Sequence, residues 1–188
     1  DRASSMVTAA NSAIATLMAA NENNRVAVVA FSSSGNYGGA LHTNKTAVTI
    51  DGNTVIKNTN GATGAAMHMR SAKVVLKSIS LVNNTSTMNG VIYYAGNDLT
   101  LENVTATGNK ANQGGVLFVN STTATVKNCF FNGNSATNGG VIYSKGGATI
   151  NLEGCELAEN TAKYGGAVHL TENSKLNLTG TIFSKMPT

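Results

Sequence analysis

The sequence predicts an all-β fold for residues 36–188: a right-handed single-stranded parallel β-helix of six rungs, each 25–26 residues long. Three observations lead there. A pair of small residues recurs at Gly38-Gly39, Gly64-Ala65, Asn89-Gly90, Gly114-Gly115, Gly139-Gly140 and Gly165-Gly166, at spacings of 26, 25, 25, 25 and 26 residues. A second mark, apolar-x-x-Asn, keeps the same beat at Val55 to Asn58, Leu81 to Asn84, Ala106 to Asn109, Phe131 to Asn134 and Leu157 to Asn160, and becomes Phe183 to Met186 in the last repeat. Each repeat also holds three short alternations of apolar and polar residues, with no helical period between them. A unit of this size with three strands cannot bury its apolar face alone, and stacking it on its neighbours produces a three-sided solenoid. The Leu-x-x-Leu-x-Leu pattern of a leucine-rich repeat is absent. At the spacing of hydrogen-bonded strands, about 4.8 Å, six rungs make a rod of roughly 30 Å.

Aligned in register, the repeats yield columns. Val48, Val74, Leu99, Ala124, Ile150 and Leu176 form one apolar column, and Ile50, Leu76, Leu101, Val126, Leu152 and Leu178 form another two positions later. That period of two describes a strand with one buried face. A corner follows at Gly52, Ser78, Asn103, Asn128, Gly154 and Gly180, residue types that accept positive φ. The next strand is expected to bury Asn53, Ile79, Val104, Cys129, Cys155 and Thr181, then Val55, Leu81, Ala106, Phe131, Leu157 and Phe183. The Asn file at 58, 84, 109, 134 and 160 suits a bend, where stacked amides bond one to the next along the axis. After the small pair, a third strand buries Leu41, Met67, Ile92, Leu117, Ile142 and Val168. Outside the core, Asp51, Lys77, Glu102, Lys127, Glu153 and Thr179 form a file of alternating sign, in which a one-rung slip would stack like on like.

Residues 1–35 lie outside the repeat. Met6, Ala10, Ile14, Leu17 and Met18 share one helical face, Ser4 or Ser5 caps its start, and Asn21 to Asn24 ends it. Val26, Val28 and Val29 then favour a strand over Arg25 to Phe31. An N-terminal helix and strand of this kind would cap the first rung of a solenoid.

Composition fits a repetitive β structure. Charged residues are 12% and aromatics 5%, yet 41% of the chain is hydrophobic, enough to bury a core. The net charge of +4 is carried by scattered single residues, so no nucleic-acid footprint is expected. No apolar run is long enough for a membrane-spanning helix.

The repeats, in their best copies Phe131-Asn132-Gly133-Asn134 and Gly165-Gly166-Ala167-Val168, resemble those of the chlamydial polymorphic outer membrane proteins and related bacterial β-helix adhesins. The resemblance covers about residues 36–188 and implies a surface-displayed, often adhesive solenoid, with no catalytic residue to carry over. Asp1-Arg2-Ala3-Ser4-Ser5-Met6, followed by the helix and by Arg25 to Ser33, is similar to the start of a von Willebrand factor A domain. That similarity implies Asp1 and Ser5 as candidate ligands for Mg²⁺. The family's Asp-x-Ser-x-Ser loop has Ala3 here in place of its middle Ser, and the cap is the preferred reading of this segment. No cofactor is otherwise expected.

Two further sets of residues are candidates. Cys129 and Cys155 share a column in adjacent rungs, which permits a disulfide, although two stacked thiols acting as small hydrophobes is the preferred reading. His42, His68, Tyr93, Phe118, Tyr143 and His169 form a column expected to point outward as a surface stripe of rings, against which a partner or a sugar could lie. Phe130 adds an exposed aromatic on another face. Carboxylates are few, and Glu153, Glu156 and Glu159 fall on different faces or corners of one rung.

These features predict a non-catalytic surface or adhesin-type segment that binds a protein or glycan of a host or neighbouring cell, with end-to-end self-association through an open last rung. The alternatives are a carbohydrate-active β-helix fragment, lyase- or hydrolase-like, and a metal-dependent von Willebrand A-type module carrying a β-helix insertion.

Overall fold

A computed structural model describes residues 37–187. Each of its six rungs contributes one strand to each of three six-stranded sheets, and every strand pairs in parallel with its counterpart in the next rung. The first sheet contains Leu41–Asn44, Met67–Arg70, Ile92–Tyr94, Leu117–Asn120, Ile142–Lys145 and Val168–Leu170. The second runs from Val48–Ile50 to Lys175–Thr179 and the third from Val55–Lys57 to Ile182–Ser184. No helix occurs among the described residues. The expected N-terminal cap and the candidate ligands Asp1 and Ser5 lie outside them.

The columns of the second and first sheets follow the expected register. Val74 pairs with Leu99, Leu99 with Ala124, Leu76 with Leu101, and Met67 with Ile92. These apolar residues are fully buried along the axis, together with Phe131, Leu157 and Ile150. All six corner residues after the second sheet adopt positive φ, including the non-glycines Ser78, Asn103 and Asn128 at 50–54°. A second positive-φ corner follows the third sheet at Asn58, Asn83, Gly108, Gly133, Glu159 and Lys185. The small pair is required sterically. A Cβ on Gly139 would run into the carbonyl of Ile142, and one on Gly140 into the carbonyl of Gly166 in the next rung.

The first rung departs from the expected alignment by one residue. Ile56, not Val55, pairs with Leu81 and is buried, and Asn53 is exposed at a φ of 33° instead of filling the core. Asn58 therefore occupies the corner, and Thr59 stands at the head of the ladder. Val55 and Ile56 are both apolar, so the apolar position is filled in either frame. Core packing of the longer Ile side chain decides between the frames.

The ladder itself comprises Asn84, Asn109, Asn134 and Asn160, all fully buried. Each Oδ1 of Asn109, Asn134 and Asn160 accepts from both the backbone N–H and the side-chain amide of the Asn one rung earlier, at 2.9–3.0 Å. Each Nδ2 also donates to a third-sheet carbonyl of the preceding rung: Ile56, Leu81, Ala106 and Phe131. Thr59 donates its N–H and hydroxyl to Asn84 Oδ1. Met186, the ladder position of the last rung, is packed against the core instead. The final rung leaves Leu178, Ile182 and Phe183 partly exposed.

A fourth short strand, absent from the expected three-sided rung, lies between the ladder and the small pair. Asn60–Thr63 pairs with Thr85–Asn89, and Ser135–Asn138 with Thr161–Tyr164, with single bridges at Lys110 and Gln113 linking the two sets. The segment carries few apolar residues and so has no period-two signal. Its extended form comes from the parallel hydrogen bonds of its stacked neighbours, such as Ser135 N to Asn109 O and Thr161 N to Asn134 O.

Candidate functional site

The outward column of the first sheet is a continuous stack of rings. His42, His68, Tyr93, Phe118 and Tyr143 lie nearly parallel, with centroids 4.6–5.3 Å apart and planes within 14°, and His169 follows at 5.4 Å, tilted by 40°. The spacing is that of parallel strands, so the backbone register dictates the stack. Ring faces at this distance cover one another.

The column faces outward, but it is not the open stripe the sequence suggests. His68, Phe118 and Tyr143 are only 3–8% exposed, Tyr93 and His169 are half-buried, and His42 alone is exposed. The fourth strand is the reason. It places a second file in register along the rod: Tyr37, Thr63, Asn89, Gln113, Asn138 and Tyr164. Tyr37 meets His68 edge-on at 4.8 Å and Tyr164 meets His169 at 6.3 Å, so the two files approach each other at both ends. The result is a concave face with rings on one side and, on the other, three amides between two tyrosines. Sequence reasoning missed the second file because its residues are polar and do not repeat in type.

Over the first three rungs this face opens into a groove of about 860 Å³. It is lined by Tyr37, His42, Asn44, Lys45, Ala62, Thr63, His68, Arg70, Met88, Asn89, Tyr93 and Ala95. The size falls in the range of ligand-binding clefts. Burial, aided by the neighbouring His42 and Arg70, lowers the His68 pKa to about 4. The ring is therefore neutral near pH 7, and its Nδ1 is buried without a hydrogen-bond partner.

The stack does not suit a metal ion. Imidazole lone pairs lie in the ring plane, and the planes of His42 and His68 are within 6° of parallel with centroids 4.9 Å apart. Two such nitrogens do not converge on one ion at the roughly 2.1 Å a transition metal needs.

The other candidates lie elsewhere. Cys129 and Cys155 are buried free thiols in adjacent rungs. Cys129 accepts from Val104 N and donates to Lys127 O, and Cys155 donates to Val126 O. The hydrogen bond with Cys155 and burial together hold the Cys129 thiol above its ordinary pKa. Lys77 meets Glu102 at 3.0 Å and Lys127 meets Glu153 at 2.9 Å in the charge file of the second sheet. Glu159 pairs with Lys185 at the second corner, and Glu172 with Lys145. Glu156 is exposed on the third sheet beside Phe130, itself 38% exposed. The structure thus keeps Glu153, Glu156 and Glu159 apart and brings none of them to the groove.

A family profile described as right handed beta helix region matches residues 12–183. The chain belongs to that family, and the rungs described above are turns of a right-handed parallel β-helix. No curated protein and no solved structure matches the chain.

Proposed function

We propose that the chain is a non-catalytic binding rod that acts outside the cell and holds a glycan or macromolecular partner of a host or neighbouring cell in its groove. The observation that carries this reading is the pair of facing files, six rings opposite Thr63 and three amides between Tyr37 and Tyr164, running the length of the solenoid. Rings and amides offer apolar surface with fixed hydrogen-bonding groups, the combination that orients a polyhydroxyl ligand. The repeat resemblance to surface adhesins supports the same reading.

A carbohydrate-active enzyme is the competing class. Cleavage of a glycosidic bond by the usual route needs two carboxyl groups flanking it. Among the described residues the groove lining has no Asp or Glu, and four of the described carboxylates sit in ion pairs outside it. These facts favour binding without turnover.

Screening residues 1–188 against an array of glycans and cell-surface proteins tests the proposal. The expected outcome is retention of at least one class of ligand, reduced at least tenfold by Tyr93→Ala or Asn89→Ala with the fold intact by circular dichroism. Polysaccharide turnover abolished by Glu153→Gln or Glu156→Gln would replace binding with catalysis.

A further inference from the structure

We infer that the open end of the groove, over rungs one to three, is a subsite for an acidic sugar, one that carries a carboxylate or sulfate on its ring. The inference rests on the groove being the binding face and adds the charge of the ligand.

Among the described residues two cations line this end, Lys45 and Arg70, and no carboxylate does. Neither cation forms an ion pair among the described residues. Lys57, Lys73, Lys110, Lys163 and Lys175 also lack a carboxylate partner among the described residues, and what sets Lys45 and Arg70 apart is that both line the groove. The register places Arg70 beside Asn44 on the outward face of the first sheet, and Lys45 follows at the next position with its N–H donated to Arg70 O. Both charges therefore sit along one edge of the ring stack. His68 contributes no charge near neutral pH, because burial keeps its pKa at about 4. Tyr37 and Met88, 59% and 55% exposed, supply apolar surface at the rim, and Asn44 and Asn89 supply amides.

This chemistry matches a sugar better than an acidic peptide. An extended peptide is captured through its main chain along an open sheet edge. The groove walls are sheet faces, and in the second and third rungs the backbone groups are consumed by rung-to-rung bonds such as Ala66 N to Val91 O and Gly64 N to Asn89 O. What remains is side-chain amides, rings and two cations, which suit hydroxyls and an anionic substituent.

Calorimetric titration of the full 188-residue chain distinguishes the outcomes. The probes are uronate-containing and sulfated oligosaccharides, each matched with its carboxyl-reduced or desulfated counterpart, and an Asp-rich peptide. The acidic member of at least one pair is expected to bind roughly tenfold more tightly than its neutral counterpart. Arg70→Gln and Lys45→Gln should each remove most of that difference, weakening the acidic member far more than the neutral one. Added salt should weaken only the acidic member, because both cations are exposed to solvent. Equal binding of both members of every pair, unaffected by Arg70→Gln, would overturn the acidic subsite and leave the groove standing as a binding face. Tighter binding of the Asp-rich peptide would overturn the sugar in favour of an acidic protein. Absence of binding to any glycan would overturn the subsite together with the glycan reading of the groove.

Discussion

The rod carries two files of stacked side chains that differ in what they leave unsatisfied. The Asn ladder is fully buried, and the Oδ1 of Asn109, Asn134 and Asn160 each accept two hydrogen bonds from the preceding rung. The ring file has the same one-per-rung geometry on the outer side of a sheet, and it keeps an unpartnered Nδ1 at His68 and an exposed ring at His42. One repeat thus builds two ladders with opposite roles. A saturated interior ladder holds register and has nothing left to offer a ligand. An outer ladder of rings needs no hydrogen bonds to stack, so it tolerates His, Tyr and Phe in turn and keeps its edges for contact.

The contrast predicts a graded series of effects. Asn109→Ala should be the most damaging, because inside the rod it removes the acceptor of the Asn84 N–H, one of the two acceptors of the Asn84 amide, and the amide donor to the Leu81 carbonyl. Three buried hydrogen bonds lost should cost about 4 kcal/mol, read as a lower urea midpoint. A loss under about 1 kcal/mol would show that water replaces the ladder amide.

Phe118→Ala in the middle of the outer file should cost less, about 3 kcal/mol. It removes a ring that is 3% exposed, but one that sits outside the central core and whose neighbours can close in. If its cost exceeded that of Asn109→Ala, the outer file would be the main source of register.

Acid should act on the ring file through His68. The pKa of His68 is about 4 in the fold against 6.5 for a free imidazole, so between those values the unfolded chain binds the extra proton. Stability should therefore be fully present above pH 6.5 and fall as pH drops toward 4, by about 2 kcal/mol after allowance for solvent on the groove side. Thermal melts across that window should show His68→Phe flattening the slope. An unchanged slope in that variant would place the titrating group elsewhere.

The smallest effect belongs to the charge file. Glu153→Lys replaces a 2.9 Å ion pair with like charges in adjacent rungs, yet both groups are more than 40% exposed. A loss of about 0.5 kcal/mol, diminishing in high salt, is expected from paired melts at low and high ionic strength.

How much of this was legible in the sequence depends on how each feature is encoded. The corner at Ser78, Asn103 and Asn128 was readable because few residue types accept positive φ, and the structure places all of them there. The ladder from Asn84 to Asn160 was readable because an invariant amide at a fixed spacing is rare by chance. The first rung misled because Val55 and Ile56 are both apolar, and only the pairing of Ile56 with Leu81 separates them. The wall of the groove was illegible. Asn89, Gln113 and Asn138 look like loop residues, and their alignment opposite the rings follows from parallel pairing with neighbouring rungs.

The sequence by itself determined the solenoid: its period, its inside and outside, its corners, and the order of rings from His42 to His169. These depend on local periodicity and backbone preference, which are written residue by residue. Tertiary structure alone decided the frame of the first rung, the burial of His68, Phe118 and Tyr143, and the groove that exposes Arg70 and Lys45 beside them. Each of these arises where a segment without a pattern of its own is held extended by the rungs next to it, and that is a property of the stack, not of any single repeat.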